Sequence, residues 1–332
     1  MCIALISTAH PAYSLIIIDN RDVCDPFRNC QKCLLLTMSQ EYLQRPTSSV
    51  DWWPDPASFV LGSRDMARED HGTWMGVTKQ GKIAVLTNFR EDHCAQAVGV
   101  QSRGRIVNSW LTGPPEECQT TLDFVQKMVA SPTTKQVGGF SLLCGRVNEP
   151  LAIVSNRSTH LDQITWVATE KNQTRGLSNT RFDDRTWPKI LNGEKLMERA
   201  IEDHAQAHED EEALLQRLLG VLSTDSLPRL PPGTDVEEYI NHLRKSIFVP
   251  VLGQEDGTNP AAGKAAARVE DEMKEPRGQH YMSGPYGTQK QTILLARPDG
   301  RVRYFERTLY DQNATAVPIG TGDRSFEFHI EE

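Results

Sequence analysis

Two apolar segments of strand length begin the chain, and they constrain its fold more than any other feature. They are Ile3–Ser7 and Ser14–Asp19, and a His10-Pro11 turn separates them. Each segment is far too short to cross a membrane, and so close a pair is typical of a β-hairpin. A hairpin at the start of the chain predicts that an antiparallel sheet forms the framework.

Later segments extend this plan with more strands and with helices. The glycine of Lys79-Gln80-Gly81 predicts a turn between strands Gly72–Val77 and Lys82–Asn88. The other predicted elements are helices at 115–130, 187–208 and 209–222, and strands at 140–144, 151–155, 164–169, 292–296, 303–307 and 325–330. Strands at both ends of the chain with helices grouped between them predict an α+β protein with antiparallel sheets.

Composition and charge exclude several classes of function. With 38% hydrophobic and 24% charged residues the chain is globular rather than disordered. A net charge of −8 argues against a nucleic-acid partner. No window approaches the roughly 18 apolar residues of a membrane helix, and the start lacks a signal peptide. Seven cysteines, an odd number, favour reduced thiols and a cytoplasmic location.

The second residue is a candidate nucleophile. Cys2 is small enough for methionine aminopeptidase to remove Met1, which would leave a thiol and a free α-amine on one residue. Such a residue carries a nucleophile and its own base, as in N-terminal-nucleophile catalysis. Arg21 would favour the thiolate and Asp22 would hold the amine. A buried cysteine beside a structural Arg-Asp pair is the alternative interpretation.

Other polar residues are weaker candidates. Asn88 and Asn179 each end a strand or turn and could donate amide hydrogens to an oxyanion. His204 and His208 share a helical face but lack the glutamate of a metalloprotease motif, so we interpret them as surface residues. Cys144 lies in an apolar strand and is predicted to be a core residue. No metal site and no resident cofactor are predicted.

Several motifs, in the correct order, resemble the NRDE family of transport and Golgi organization proteins. They are Met1-Cys2, Asn20-Arg21-Asp22, Gly72-Thr73-Trp74-Met75-Gly76, Leu86-Thr87-Asn88-Phe89, Gly138-Gly139-Phe140, Gly176-Leu177-Ser178-Asn179 before Trp187-Pro188-Lys189, and Tyr286-Gly287-Thr288. The resemblance implies one domain over 1–332 with a four-layer αββα sandwich like that of N-terminal-nucleophile hydrolases. It also suggests Asn20, Arg21, Trp74 and Thr288 as ligand-binding candidates. Gln289 stands where the family usually carries arginine, which weakens a hydrolase interpretation.

An anomalous insertion interrupts the family motif after Asp22. Deleting residues 23–40 joins Asn20-Arg21-Asp22 to Glu41 and restores the family sequence without a gap. These eighteen residues keep the reading frame, can begin with GT and can end with CAG, so we interpret them as a retained intron. A metal knuckle at Cys24, Cys30 and Cys33, or an ordinary loop, are the alternatives. Residues 253–280 are poor in apolar residues and are predicted to be a flexible insertion.

The resemblance implies a cytoplasmic protein of Golgi organisation and protein secretion, with peripheral Golgi and mitochondrial association. In that role it would carry an apolar, acidic ligand such as haem or acyl-CoA, and Arg21 would pair with the ligand carboxylate. The alternative is an amidohydrolase or thioesterase that uses Cys2. A third interpretation is a peripheral scaffold that recruits partners of the secretory pathway.

Overall fold

The computed structural model describes residues 1–23, 45–89, 102–113, 120–132, 134, 137–231, 238–239, 241–252 and 286–331. All but the first residue of the anomalous insertion 23–40, and the whole of the flexible insertion 253–280, lie outside these ranges, as do Cys24, Cys30, Cys33 and Glu41.

Six strands form the first antiparallel sheet in the order β10-β1-β2-β11-β12-β13. Their bounds are β1 Ile3–Ser7, β2 Leu15–Val23, β10 Thr174–Ser178, β11 Gly287–Ala296, β12 Arg301–Thr308 and β13 Asp323–His329. Strand β1 therefore lies between β2 and β10, and β2 lies between β1 and β11. This position brings the start of the chain beside the Asn20-Arg21-Asp22 motif, because Ile3 pairs with Asn20.

Seven strands form the second antiparallel sheet, in sequence order from β3 to β9. They are β3 Asp51–Trp52, β4 Val60–Gly62, β5 Met75–Thr78, β6 Lys82–Asn88, β7 Phe140–Arg146, β8 Leu151–Ser155 and β9 Thr165–Val167. The helices of the described ranges are α1 Gly104–Thr112, α2 Thr121–Ala130, α3 Pro188–Ala207 and α4 Glu211–Leu222. None of these helices is both long and apolar enough to span a bilayer.

The buried side chains divide the molecule into four layers. Ala4 and Ile17 of the first sheet share one apolar cluster with Met75 and Val85 of the second, so the two sheets pack face to face. The opposite face of the first sheet packs against α3 and α4, and that of the second against α1 and α2. The predicted α+β, four-layer αββα sandwich is thus confirmed.

Several element predictions need correction. Residues 176–178 were not among the predicted strands, but they belong to β10, which pairs with β1. Gly176 is needed there for close packing, since an added Cβ would lie 2.9 Å from Ile190 of α3. Strand β2 extends to Val23, beyond its predicted end at Asp19, because β11 pairs with it as far as Val23.

The histidine prediction is wrong in part. His208 is exposed, but His204 is buried and its Nδ1 lies 3.0 Å from Nε2 of His10. Cys144 is fully buried in the core, as predicted.

Candidate functional site

The amino terminus of the chain is held by the carboxylate that the sequence singled out. The α-ammonium of Met1 lies 2.8 Å from Oδ2 of Asp22, whose side chain is fully buried. The antiparallel pairing of β1 and β2 produces this contact, because the residues before Ile3 run alongside those after Asn20. The structure therefore brings the chain's own amine to Asp22.

Thr288 fixes the other oxygen of the same carboxylate. Its hydroxyl donates to Oδ1 of Asp22 at 2.6 Å and accepts a hydrogen bond from the amide of Val249 at 3.0 Å. Both Asp22 oxygens are thus occupied, one by a cation and one by a hydroxyl. Thr288 acts on Asp22 and through it on the amino terminus.

The thiol of Cys2 lies directly against this pair. Its Sγ donates to the backbone carbonyl of Asp22 at 3.4 Å. Burial raises the pKa of the Cys2 thiol to about 11, although the nearby N-terminal ammonium opposes the rise. While Met1 is present, the thiol is therefore protonated at neutral pH.

Arg21 is on the same site but is engaged by neighbouring side chains. Its guanidinium stacks 3.8 Å above the ring of Trp74, which belongs to the core between the sheets. One nitrogen also donates to the hydroxyl of Thr47 at 2.8 Å and to the amide oxygen of Gln289. Gln289 thus binds Arg21.

The three asparagine candidates are placed differently. Nδ2 of Asn179 donates to the backbone oxygen of Asn88 at 2.6 Å, so these two residues meet where β6 and β10 end. Asn20 points to the opposite face of the sheet from Arg21, because side chains alternate along a strand. Its amide donates to the carbonyls of Leu222 and Ile247 at 2.7 and 2.9 Å and ties β2 to the helical layer.

Lys189 was missed as a site residue. Its fully buried ammonium donates to the carbonyl oxygen of Met1 and, at 3.1 Å, to that of Cys2. Burial lowers the pKa of Lys189 to about 8, although the charges of Asp22 and Cys2 oppose this. The sequence did carry a signal: Pro188 starts α3, and a lysine in the first turn opposes the helix dipole unless it has another role.

Asp19 was missed as well. It is buried, on the same sheet face as Arg21, and its Oδ2 has no hydrogen-bond partner among the described residues. Burial, and then the charge of Asp22, raise the pKa of Asp19 well above its usual range. Asp22 is therefore ion-paired, whereas the described residues place no salt-bridge partner on Asp19, three residues earlier.

Groups of three or more potential metal ligands are absent from the parts of the chain that the structure describes. The arrangement around Cys2 is instead one of a thiol, an amine, a carboxylate and a buried lysine. These are the groups of proton transfer and nucleophilic attack.

Comparisons with solved structures give weak likenesses. A conjugated bile acid hydrolase variant from Clostridium perfringens covers 99% of this chain and 98% of its own, at 9% identity and a TM-score of 0.43. An N-acylethanolamine-hydrolyzing acid amidase ortholog from Caenorhabditis elegans covers 68% and 87%, at 12% identity and a TM-score of 0.41.

Curated relatives match over nearly the whole chain. Transport and Golgi organization protein 2 homolog from Bos taurus is 24% identical over 87% of this chain and 90% of its own length. The human homolog is 24% identical over 92% of this chain and 95% of its own length. The protein YGR127W from Saccharomyces cerevisiae is 24% identical over 99% and 100%.

A family model, Transport and Golgi organisation 2, matches residues 29–311. This range covers most of the chain, although it begins after Cys2 and the Asn20-Arg21-Asp22 motif. The chain therefore belongs to the Transport and Golgi organisation 2 family.

Proposed function

We propose that this protein takes part in Golgi organisation and protein secretion, and that it acts through a cysteine N-terminal-nucleophile site at Cys2. The cellular role follows the names of the relatives from Bos taurus and human, which align with most of this chain. It fits a cytoplasmic protein that associates peripherally with Golgi and mitochondrial membranes.

One observation carries the molecular proposal. The α-ammonium of the first residue and the Cys2 thiol both contact Asp22, at 2.8 and 3.4 Å. Removal of Met1 moves the free amine to Cys2, one residue along the chain. Asp22 is then the carboxylate beside that amine, with Thr288 holding it in place.

The chemistry would be attack on an amide or thioester carbonyl. The Cys2 thiol passes its proton to its own α-amine, and sulfur forms a bond to the carbonyl carbon while the C=O electrons move to oxygen. Collapse of this intermediate breaks the bond to the leaving amine or thiolate, which takes the proton from the α-ammonium. Water then hydrolyses the acyl-cysteine and regenerates the thiol.

A second candidate is the carrier of an apolar, acidic ligand such as haem or acyl-CoA. The observation that favours it is the state of the site when Met1 is retained. The amine is then bound to Asp22 and the thiol is kept protonated, so the site has no reactive nucleophile. In a carrier, the guanidinium of Arg21, which is stacked on Trp74, would be the cation that pairs with the ligand carboxylate.

The experiment compares the chain that begins with Met1 with the chain that begins with Cys2, the latter released by cleavage of an N-terminal fusion. Each is incubated with palmitoyl-CoA, and free CoA is measured by chromatography. Catalysis predicts CoA release by the Cys2 form and none by the Met1 form. Cys2→Ala, in a chain that begins with residue 2, is expected to lose the activity because it keeps the amine but lacks the thiol.

Binding titrations with palmitoyl-CoA and haem separate the remaining interpretations. Saturable binding without CoA release would favour the carrier. Neither turnover nor saturable binding would overturn both and leave the scaffold interpretation. Intact-mass analysis of the protein from its natural host shows which N-terminus is present.

A further inference from the structure

The carbonyl group of Met1 is held by a buried lysine beside the candidate nucleophile Cys2. It is the acyl carbonyl attached to the nitrogen of Cys2, and its oxygen accepts a hydrogen bond from Lys189. Lys189 is 0% exposed, so bulk solvent does not reach its ammonium. In the unprocessed chain, the acceptor of this hydrogen bond is therefore the chain's own carbonyl.

Removal of Met1 changes the environment of Lys189 in a defined way. The ammonium keeps the carbonyl of Cys2 at 3.1 Å, which Ser178 also binds at 2.7 Å, but it loses the carbonyl of Met1. A buried ammonium that loses an acceptor pays a large desolvation penalty. A new carbonyl oxygen in the same place restores the lost hydrogen bond.

Lys189 is also positioned for the charge that develops during attack. Its Nζ lies 3.1 Å from the carbonyl oxygen of Cys2, the residue that carries the thiol. Preorganised donors aimed at a developing oxyanion are worth most in a buried site, where the effective dielectric constant is low.

We infer that Lys189 receives the carbonyl oxygen of the substrate, in the place that the Met1 carbonyl occupies before processing. This inference rests on the proposed N-terminal-nucleophile function. When sulfur bonds to the carbonyl carbon, the negative charge on oxygen faces the Lys189 ammonium, and the thiol proton resides on the Cys2 amine. Met1 is then a built-in competitor of the substrate, and its removal opens the acyl position.

Two reactions of Cys2 distinguish this role from a general effect on the thiol. Alkylation by iodoacetamide requires the thiolate but forms no oxyanion. Acylation by an octanoyl thioester requires the thiolate and also forms an oxyanion that must be stabilised. Each is followed at the Cys2 peptide by mass spectrometry, because other cysteines are present. Both rates are measured in the chain that begins with Cys2.

Lys189→Met is expected to slow acylation by about a hundredfold, in the range seen for loss of one oxyanion donor, and to slow alkylation by no more than about tenfold. Lys189→Gln keeps a neutral donor and is expected to lie between wild type and Lys189→Met in acylation. Lys195→Met, an exposed lysine change on the same helix, is the matched control and leaves both rates unchanged. The chain that retains Met1 is expected to be acylated far more slowly than the chain that begins with Cys2.

The outcomes separate the inference from the function on which it rests. The role of Lys189 is overturned if Lys189→Met is acylated as fast as wild type. It is also overturned if Lys189→Met and Lys189→Gln each slow acylation and alkylation by the same factor. If the wild-type Cys2 form is alkylated but never acylated, the proposed function fails, and the role of Lys189 fails with it. Circular dichroism of each variant shows whether it is folded.

Discussion

At the scale of single residues, Lys290 of β11 and Glu306 of β12 form a buried ion pair within the first sheet. Nζ of Lys290 lies 2.6 Å from Oε1 of Glu306, and the two side chains are 3% and 1% exposed. Ser63, which directly follows β4 of the second sheet, donates to both carboxylate oxygens of Glu306, at 2.6 and 2.8 Å. Lys290→Met leaves a buried carboxylate without its cation, and we expect it to lower the free energy of unfolding by about 3–5 kcal/mol in urea titrations.

An exposed ion pair between the first and the second sheet provides the control. Arg324 of β13 lies 3.3 Å from Asp51 of β3, with side chains 45% and 58% exposed. Arg324→Ala is expected to cost less than about 1 kcal/mol through the lost pair, because solvent screens exposed charges. Equal losses for Lys290→Met and Arg324→Ala would contradict the prediction.

Residue-level sequence reasoning reached part of the site and missed the rest for a physical reason. Cys2 and Asp22 could be paired in advance, because a hairpin brings the two segments together. The alternation of side chains along β2 could also have separated Asn20 from Arg21. Lys189 could not be placed, because 188 positions separate it from the Met1 carbonyl that it binds.

At the scale of elements, a pair of histidines joins the β1–β2 turn to the junction of α3 and α4. The amide of Ala12 donates to Nδ1 of His10, which leaves the proton of neutral His10 on Nε2, facing Nδ1 of His204. His204 then donates from Nε2 to the carbonyl of Asp210 at 2.9 Å. This chain of hydrogen bonds requires both rings to be neutral.

The histidine pair predicts a loss of stability in acid. Burial, and then His204 and Arg297, lower the pKa of His10 from 6.5 to about 4. The unfolded chain therefore binds this proton first, so the contribution of His10 is complete above pH 6.5 and is lost as the pH falls toward 4. His10→Gln should remove this pH-dependent contribution to the free energy of unfolding. Urea titrations should therefore show the difference in stability between wild type and His10→Gln shrinking as the pH falls from 6.5 to about 4.

His208→Gln is the control for that experiment, because His208 is exposed at the end of the same helix. Its stability should follow the wild-type pH dependence. An unchanged difference between wild type and His10→Gln from pH 7 to pH 4 would show that His10 titrates normally.

Element prediction succeeded where the pattern was local. Strand Ile3–Ser7 was predicted with its observed bounds, and α3 and α4 differ from prediction by only a residue or two at each end. Helix α1 was missed because its sequence is rich in β-branched residues and its N-terminus has no side-chain cap. Strand β10 was missed because its glycine serves contact with a helix, which is a property of the tertiary structure.

At the scale of the whole molecule, the two chain ends differ in their importance for stability. The N-terminal ammonium forms an ion pair with the fully buried carboxylate of Asp22, and Asp22 lies on β2, an interior strand of the first sheet. The last strand, β13, is at the edge of that sheet, and Glu331 beyond it is exposed. A peptide fused to Met1 replaces the ammonium by a neutral amide, whereas the same peptide at the other end of the chain extends it beyond Glu331, an exposed residue.

We therefore expect an N-terminal fusion to lower the free energy of unfolding by about 1–3 kcal/mol, the cost of an unsatisfied buried group, and a C-terminal fusion to have almost no effect. Denaturant titrations of the two fusions, made with the same short peptide, measure the difference. In an Asp22→Asn background the N-terminal fusion should cost much less, because the carboxylate that the ammonium neutralises is gone. If the penalty persists in Asp22→Asn, it arises from crowding at the site and not from the ion pair.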